Sequence, residues 1–246
     1  MRLFLFVLFS TFLSLISALS LSQRRQTSRQ RRQESINVGH HPLLSLNLNL
    51  DALARAEAPE RAQELYQRIS ALYEEGYYAV QPDTCSFNSV LKAWQNSPSD
   101  AIAFWESQEE FIEPNIRSYN TVLLALAKAG MADEAEALLR KLQELGGSLV
   151  VPDRVTYNTV LLAFAASSDP LAVSKSEELL QEMMGLEYLQ PDRVTTNTIL
   201  TTYLANQTIE ATTQAEDWFI RMLQYGVEPD VYSYTSIIHA WAKLGE

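Results

Sequence analysis

Apolar residues recur along this chain with the period of a helix, and the periodic segments come in pairs. Tyr119, Val122, Leu123 and Leu126 stand at i, i+3, i+4 and i+7; Tyr157, Val160, Leu161 and Phe164 repeat the spacing, as do Tyr234, Ile237, Ile238 and Trp241. Each set lays one apolar stripe along one face of an amphipathic helix. A second striped segment follows, carrying Ala135, Leu138, Leu139 and Leu142, then Ser176, Leu179, Leu180 and Met183, then Ala215, Trp218, Phe219 and Met222. Breakers part the two helices of each pair: Gly130, Ser167-Ser168-Asp169-Pro170 and Asn206-Gln207. Gly146 and Gly226 stand where a C-terminal cap would close the second helix. A weaker pair comes first, with Asn47, Leu50, Leu53 and Ala54 on one helix and Ala62, Leu65, Tyr66 and Ile69 on the next. Pro59 sits near the start of that second helix, and Gly76 and Pro82-Asp83 end the pair. No segment alternates as a strand would.

The pairs share a phase. A Pro followed by Asp or Asn recurs at Pro82-Asp83, Pro114-Asn115, Pro152-Asp153, Pro191-Asp192 and Pro229-Asp230, in steps of 32, 38, 39 and 38 residues. Five residues later stand Asn88, Asn120, Asn158, Asn197 and Thr235, each behind Phe87, Tyr119, Tyr157, Thr196 or Tyr234. The Pro-Asp step suits a helix start, where proline's φ is already set and an acid meets the positive dipole end. One helix pair cannot bury its own stripes; stacked pairs can, which predicts an all-α solenoid. The last unit in the sequence has one helix, so Ile238 and Trp241 are expected uncapped unless the array continues or something covers that end.

Composition narrows the chemistry. With 47% hydrophobic residues in 246, the chain is not wholly disordered. The single Cys85 makes no internal disulfide and, with only His40, His41 and His239, no zinc site; it reads as a small apolar filler. The net charge of -11 is uneven. Arg2, Arg24, Arg25, Arg29, Arg31 and Arg32 face only Glu34 within residues 1–41, which leaves the remainder at -16. Such a body opposes a duplex phosphate backbone. No Gly-rich phosphate loop or Gly-x-Ser-x-Gly elbow is present, and His239 has no identifiable acid–base partner, so neither an enzyme nor a cofactor is expected.

Residues 1–20 read as a signal peptide: Arg2 supplies the charge, Leu3 to Ile16 the apolar run, and Ala18-Leu19-Ser20 the small-x-small ending. The run is short for a membrane span of about 20 residues, and a signal anchor is the alternative. Residues 21–41, rich in Arg, Ser and Gln, read as a transit-like basic segment, or as a plain basic tail. The two together resemble a two-part plastid address. A mitochondrion is the alternative, the secretory pathway the less favoured one, and no stable membrane association is expected after processing.

Certain strings resemble the pentatricopeptide-repeat family: Ser118-Tyr119-Asn120-Thr121-Val122-Leu123, Val155-Thr156-Tyr157-Asn158-Thr159-Val160-Leu161, Val231-Tyr232-Ser233-Tyr234-Thr235-Ser236-Ile237-Ile238, Ala127-Lys128-Ala129-Gly130, Glu134-Ala135-Glu136-Ala137-Leu138-Leu139 and Tyr225-Gly226-Val227-Glu228-Pro229-Asp230. The tetratricopeptide alternative lacks its Trp, Leu-Gly and Tyr landmarks here. The resemblance implies a right-handed superhelix of helix-turn-helix repeats: a degenerate unit over 42–83, units over 84–115, 116–153, 154–192 and 193–230, and a partial unit over 231–246. It also implies single-stranded RNA as partner, read one base per repeat, with protein partners in an RNA-processing complex. The base-selecting pairs it implies are Asn47 with Asp83, Asn88 with Asn115, Asn120 with Asp153, Asn158 with Asp192 and Asn197 with Asp230, Thr235 having no partner in this chain. Asn with Asp leans toward uracil, and Asn with Asn tolerates cytosine or uracil, which implies a U-rich pyrimidine tract. Cys85, Arg117, Val155, Val194 and Tyr232 would stack on the bases. Arg55, Lys128 and Lys243 would take phosphates, while Asn96, Ala166 and Ala205 leave the matching places uncharged. The family role is organellar RNA processing, stability or translation. The competing reading is a protein-interaction scaffold, and for any one Asn the competing reading is helix-start capping.

Overall fold

The computed structural model describes residues 42–108, 111–145, 150–205 and 207–245. The readings placed on residues 1–41, on Gly146 and on Asn206 lie outside the described residues. Among the described residues every regular element is helical. The α-helices are α1 (Pro42–Arg55), α2 (Pro59–Glu74), α3 (Thr84–Ala93), α4 (Pro98–Gln108), α5 (Ile116–Lys128), α6 (Ala132–Glu144), α7 (Arg154–Ala166), α8 (Ala172–Gly185), α9 (Arg193–Leu204), α10 (Ile209–Gln224) and α11 (Val231–Leu244), with a 3₁₀ turn over Tyr78–Val80. No described helix is long and apolar enough to cross a membrane.

The helices α3, α5, α7, α9 and α11 begin alike. Asp83, Asn115, Asp153, Asp192 and Asp230 are their N-caps, with extended backbone. Each cap side chain accepts the N–H of the third helical residue, and that residue's hydroxyl accepts the cap's own N–H. The hydroxyls belong to Ser86, Ser118, Thr156, Thr195 and Ser233. A reciprocal pair of this kind satisfies two donors that a helix start leaves open, and a cap is worth about 1 kcal/mol. The prolines therefore do not occupy the first helical turn, as the sequence suggested. Each sits one residue before the cap, where its fixed φ aims the chain.

The odd-numbered helices pack on one another in succession. Each even-numbered helix lies between its own partner and the next odd-numbered helix. Two layers result, with the apolar stripes meeting between them in one cluster that runs from Leu46 to Met222. Val160, Leu161 and Phe164 on α7 and Leu139 on α6 are wholly buried. Aromatic rings thread the first three pairs. Tyr66 meets Phe104, Phe104 meets Phe87, Phe87 meets Trp105, and Trp105 meets Tyr119, with centroids 4.7 to 5.6 Å apart. The rings of Tyr66, Phe87, Phe104, Trp105 and Tyr119 are thus core.

Leu46 stands before Asn47 and Thr196 before Asn197 where the other units have an aromatic, and the Thr196 unit has a local answer. Thr196 is buried, and the indole of Trp218 on α10 donates to its carbonyl at 3.1 Å. The Trp218 ring, wholly buried, packs against Tyr203 of the first helix beside it. On α11, Ile238 is 66% and Tyr234 54% exposed, as expected of an uncovered stripe. Trp241 is half-buried, its indole donating to Glu216 at 2.7 Å.

Candidate nucleic-acid interface

The fifth residue of α3, α5, α7 and α9, and the sixth of α1, points at the cap of the next first helix. Asn47 Nδ2 donates to both carboxylate oxygens of Asp83, at 3.1 and 3.3 Å. Asn88 donates to Asn115 at 3.4 Å, Asn120 to Asp153 at 3.2 Å, Asn158 to Asp192 at 3.4 Å, and Asn197 to Asp230 at 3.2 Å. The structure brings together every pair named from the sequence. It also overturns the helix-start reading of the Asn residues. The Asp or Asn after each proline does the capping, and the Asn sits a turn inside the helix. Thr235 turns its hydroxyl back onto the carbonyls of Val231 and Tyr232.

The pairing fixes which way each carboxamide faces. A carboxylate accepts only, so the amide nitrogen must be the atom turned toward Asp. Oδ1 of Asn47, Asn88 and Asn120 is buried with no hydrogen-bond partner, although the residues themselves are half-exposed. Oδ1 of Asn158 accepts from the Thr195 hydroxyl at 2.7 Å, and Oδ1 of Asn197 from the Ser233 hydroxyl at 2.6 Å. The group each carboxamide offers to solvent is its second N–H, a donor.

Asp83, Asp192 and Asp230 are held charged. Partial burial raises the pKa of Asp83, but the N–H and hydroxyl of Ser86, the Asn47 amide and the N–H of Cys85 together bring it below the ordinary value. In Asp192 burial is likewise outweighed, by the Thr195 N–H and hydroxyl, Asn158 and the nearby Arg154. In Asp230 the Ser233 N–H is the largest influence and lowers it, with Asn197 adding to the effect. A carboxyl lowered in the folded state gives stability that is complete above its unfolded pKa, about 3.9, and is lost as pH falls through the lowered value. The thermal midpoint is expected to drop as pH falls below about 4. Asp192→Asn should keep its cap, as Asn115 does, and show a shallower acid slope over that range. Parallel slopes for the two proteins would show that the Asp192 charge is not engaged.

Cys85, Arg117, Val155, Val194 and Tyr232, one turn before these Asn residues or before Thr235, are all exposed. Exposure overturns the reading of Cys85 as a core filler. Leu44 holds the same place before Asn47 and is 60% exposed. The sequence reading missed it, although the three-residue offset from the Asn identifies it.

The cations are more numerous on this layer than the sequence reading had them. Arg55 pairs with Asp51 at 2.7 Å, and Lys92, which was missed, reaches the same carboxylate at 3.2 Å. Lys128 donates to Asn96 at 3.1 Å, which ties matching places of two repeats, and Lys243 is exposed. Arg154 lies 3.4 Å from Asp192. The odd-numbered helices carry Arg55, Lys92, Arg117, Lys128, Arg154, Arg193 and Lys243, and Asp51 is the one acid within them. Every even-numbered helix has more acids than bases. Charge is therefore sorted by layer. With the cap carboxylates Asp83, Asp153, Asp192 and Asp230 counted beside Asp51, seven bases still meet five acids on the layer of the Asn row, against a net charge of -16 for the body.

Comparison with known proteins follows the same residues. A family model described as a PPR repeat family matches residues 191–243, and one described as a PPR repeat matches 117–147. A mitochondrial pentatricopeptide repeat-containing protein of Arabidopsis thaliana is 32% identical over 126 residues, 49% of this chain and 28% of the relative. A chloroplastic one from the same plant is 30% identical over 174 residues, 67% of this chain and 21% of the relative. The chain spans less than a third of the length of these curated relatives. Among solved structures, the pentatricopeptide repeat protein PPR10, a maize protein, in complex with an 18-nucleotide psaJ RNA element is similar. Its TM-score is 0.64 at 22% identity, over 88% of this chain and 30% of that one. The PPR domain of Arabidopsis thaliana protein-only RNase P 1 in complex with tRNA has a TM-score of 0.58 at 14% identity, over 82% of this chain and 99% of that one.

Proposed function

Because the chain belongs to the pentatricopeptide-repeat family, we propose that it binds single-stranded RNA one base per first helix and selects pyrimidines, uracil foremost. The observation that carries this reading is the unbroken file of carboxamides, each anchored to the next cap with one N–H left over. A free N–H donates to a base carbonyl. Uracil offers O2 and O4 on its Watson–Crick edge, whereas the amino group of adenine would meet the amide donor to donor. Asn88 with Asn115 lacks the carboxylate and accepts cytosine or uracil. The exposed side chains of Leu44, Cys85, Arg117, Val155, Val194 and Tyr232 would flank the base planes, stacking being the sequence-tolerant part of single-strand binding. Arg55, Lys92, Lys128 and Lys243 would meet phosphates. By this reading the protein acts in organellar RNA processing, stability or translation. The organellar names of its relatives support that setting, and residues 1–41 point to a plastid before a mitochondrion.

The acidic even-numbered layer favours a second reading, a protein-interaction scaffold. The two part on one experiment. A five-base uridine RNA should bind well above poly-adenosine of equal length, and Asn158→Ala with Asn197→Ala should lower uridine affinity about tenfold and narrow the gap. Equal and negligible binding to both RNAs would remove the RNA reading. Capture of a protein partner that survives nuclease and ignores Asn158 would then favour the scaffold.

A further inference from the structure

We propose that the third-position hydroxyls of Thr195 and Ser233 position the Asn of the preceding first helix, making Asn158 and Asn197 the stringent readers of the array, while Asn47, Asn88 and Asn120, which no such hydroxyl reaches, read permissively. The inference rests on the RNA-binding reading above and adds to it a residue that touches no base.

A hydroxyl has one hydrogen to give. At Ser86, Ser118 and Thr156 the acceptor in reach is Oδ1 of their own cap, at 2.7, 3.1 and 2.9 Å. At Thr195 the preceding Asn is nearer, 2.7 Å to Asn158 Oδ1 against 3.0 Å to Asp192. At Ser233 the difference is larger, 2.6 Å to Asn197 Oδ1 against 3.1 Å to Asp230. The same hydroxyl oxygens still accept the cap's N–H, at 3.1 and 3.2 Å. Asn158 and Asn197 are therefore held at both ends, by the carboxylate on the nitrogen and the hydroxyl on the oxygen. Their free N–H is pinned toward the base.

The other three are held at one end. Their buried Oδ1 atoms have no partner, a standing penalty that turning the carboxamide would relieve. A carboxamide that swings about its anchored nitrogen keeps an N–H on the cap while bringing Oδ1 out beside its donor, and an acceptor there tolerates the amino group of cytosine. Sequence type does not separate the two classes, since Ser and Thr occur in both. The distinction lies in how closely each hydroxyl approaches its Asn.

The test uses the full chain and a five-uridine RNA in which each uridine is replaced in turn by cytidine. The base whose replacement is silenced by Asn158→Ala is the one opposite that residue. At that base Thr195→Val should reduce uridine-over-cytidine discrimination roughly fivefold, and Thr195→Ser should restore it. Ser86→Ala loses a capping box of the same kind and should leave discrimination at the Asn47 base unchanged. A second measurement needs no RNA: hydrogen exchange of the Asn158 side-chain amide should quicken in Thr195→Val, while that of Asn47 is unmoved by Ser86→Ala. Unchanged discrimination and unchanged Asn158 exchange in Thr195→Val would overturn the proposal. If no variant binds RNA, the binding reading fails by itself, and the exchange measurement still decides the positioning role.

Discussion

Replacing Gly130 with alanine is expected to cost the array about 2–4 kcal/mol, well above the loss from the same change at Gly226. Both residues have left-handed backbone, φ +67 at Gly130 and +73 at Gly226, a conformation that costs an alanine about 1–2 kcal/mol. They differ in surroundings. A Cβ on Gly226 would meet nothing within 4 Å, whereas one on Gly130 would stand 2.7 Å from the carbonyl oxygen of Ala166 and 3.2 Å from its carbon. These are backbone atoms at the end of α7 and cannot swing aside as a side chain can. Relief requires α5 and α7 to shift apart, which moves Asn120 relative to Asp153. Urea midpoints of the two variants measure the difference, and equal losses would show that the close approach to Ala166 is slack.

Gly130 also illustrates how far the sequence could be read. A breaker after Ala127-Lys128-Ala129 was legible as the end of a helix, because left-handed glycine closes helices. Its contact with Ala166, 36 residues on, was not, because nothing local to either residue encodes how closely two repeats approach. The Asn row was legible for the opposite reason. A constant phase between Asn and the following Pro-Asp becomes a constant contact once the first helices stack. The hydroxyls at Ser86, Ser118, Thr156, Thr195 and Ser233 were written in the sequence as the third residue after each cap, yet went unread, since the Pro-Asp step alone seemed to explain the helix start. Lys92 escaped because it lies one turn before the register of Arg55 and Lys128. Only the shared carboxylate of Asp51 joins it to Arg55.

Trp218→Ala is the second large effect expected, a loss of about 3–5 kcal/mol. The ring is fully buried, stacked on Tyr203 at 6.1 Å between centroids, tilted against Tyr225 at 5.8 Å, and flanked by the Arg221 guanidinium 5.1 Å from its centroid. Truncation removes all of these and strands the Thr196 carbonyl that the indole satisfies. The units at Phe87, Tyr119 and Tyr157 have a buried ring just before the Asn to limit the cavity, and here Thr196 takes that place. The damage should stay local, because each repeat contacts only its neighbours. Hydrogen exchange should show α9 to α11 losing protection while α1 to α5 keep theirs. A uniform loss along the chain would mean that the solenoid unfolds as one unit. Phe219→Ala, on the same helix but half-buried, should cost distinctly less.

The residue that completes each Asn pair is the same residue that starts the next helix, so every change of letter there is also a change of cap. Good caps form a short menu of Asp, Asn, Ser and, less well, Thr, because a compact oxygen must reach the third amide of the helix. The alphabet available at that place is thereby restricted before any base is considered. Mutation can move Asp to Asn, as Asn115 already illustrates, but an apolar replacement would erase the letter and loosen the following helix in one step.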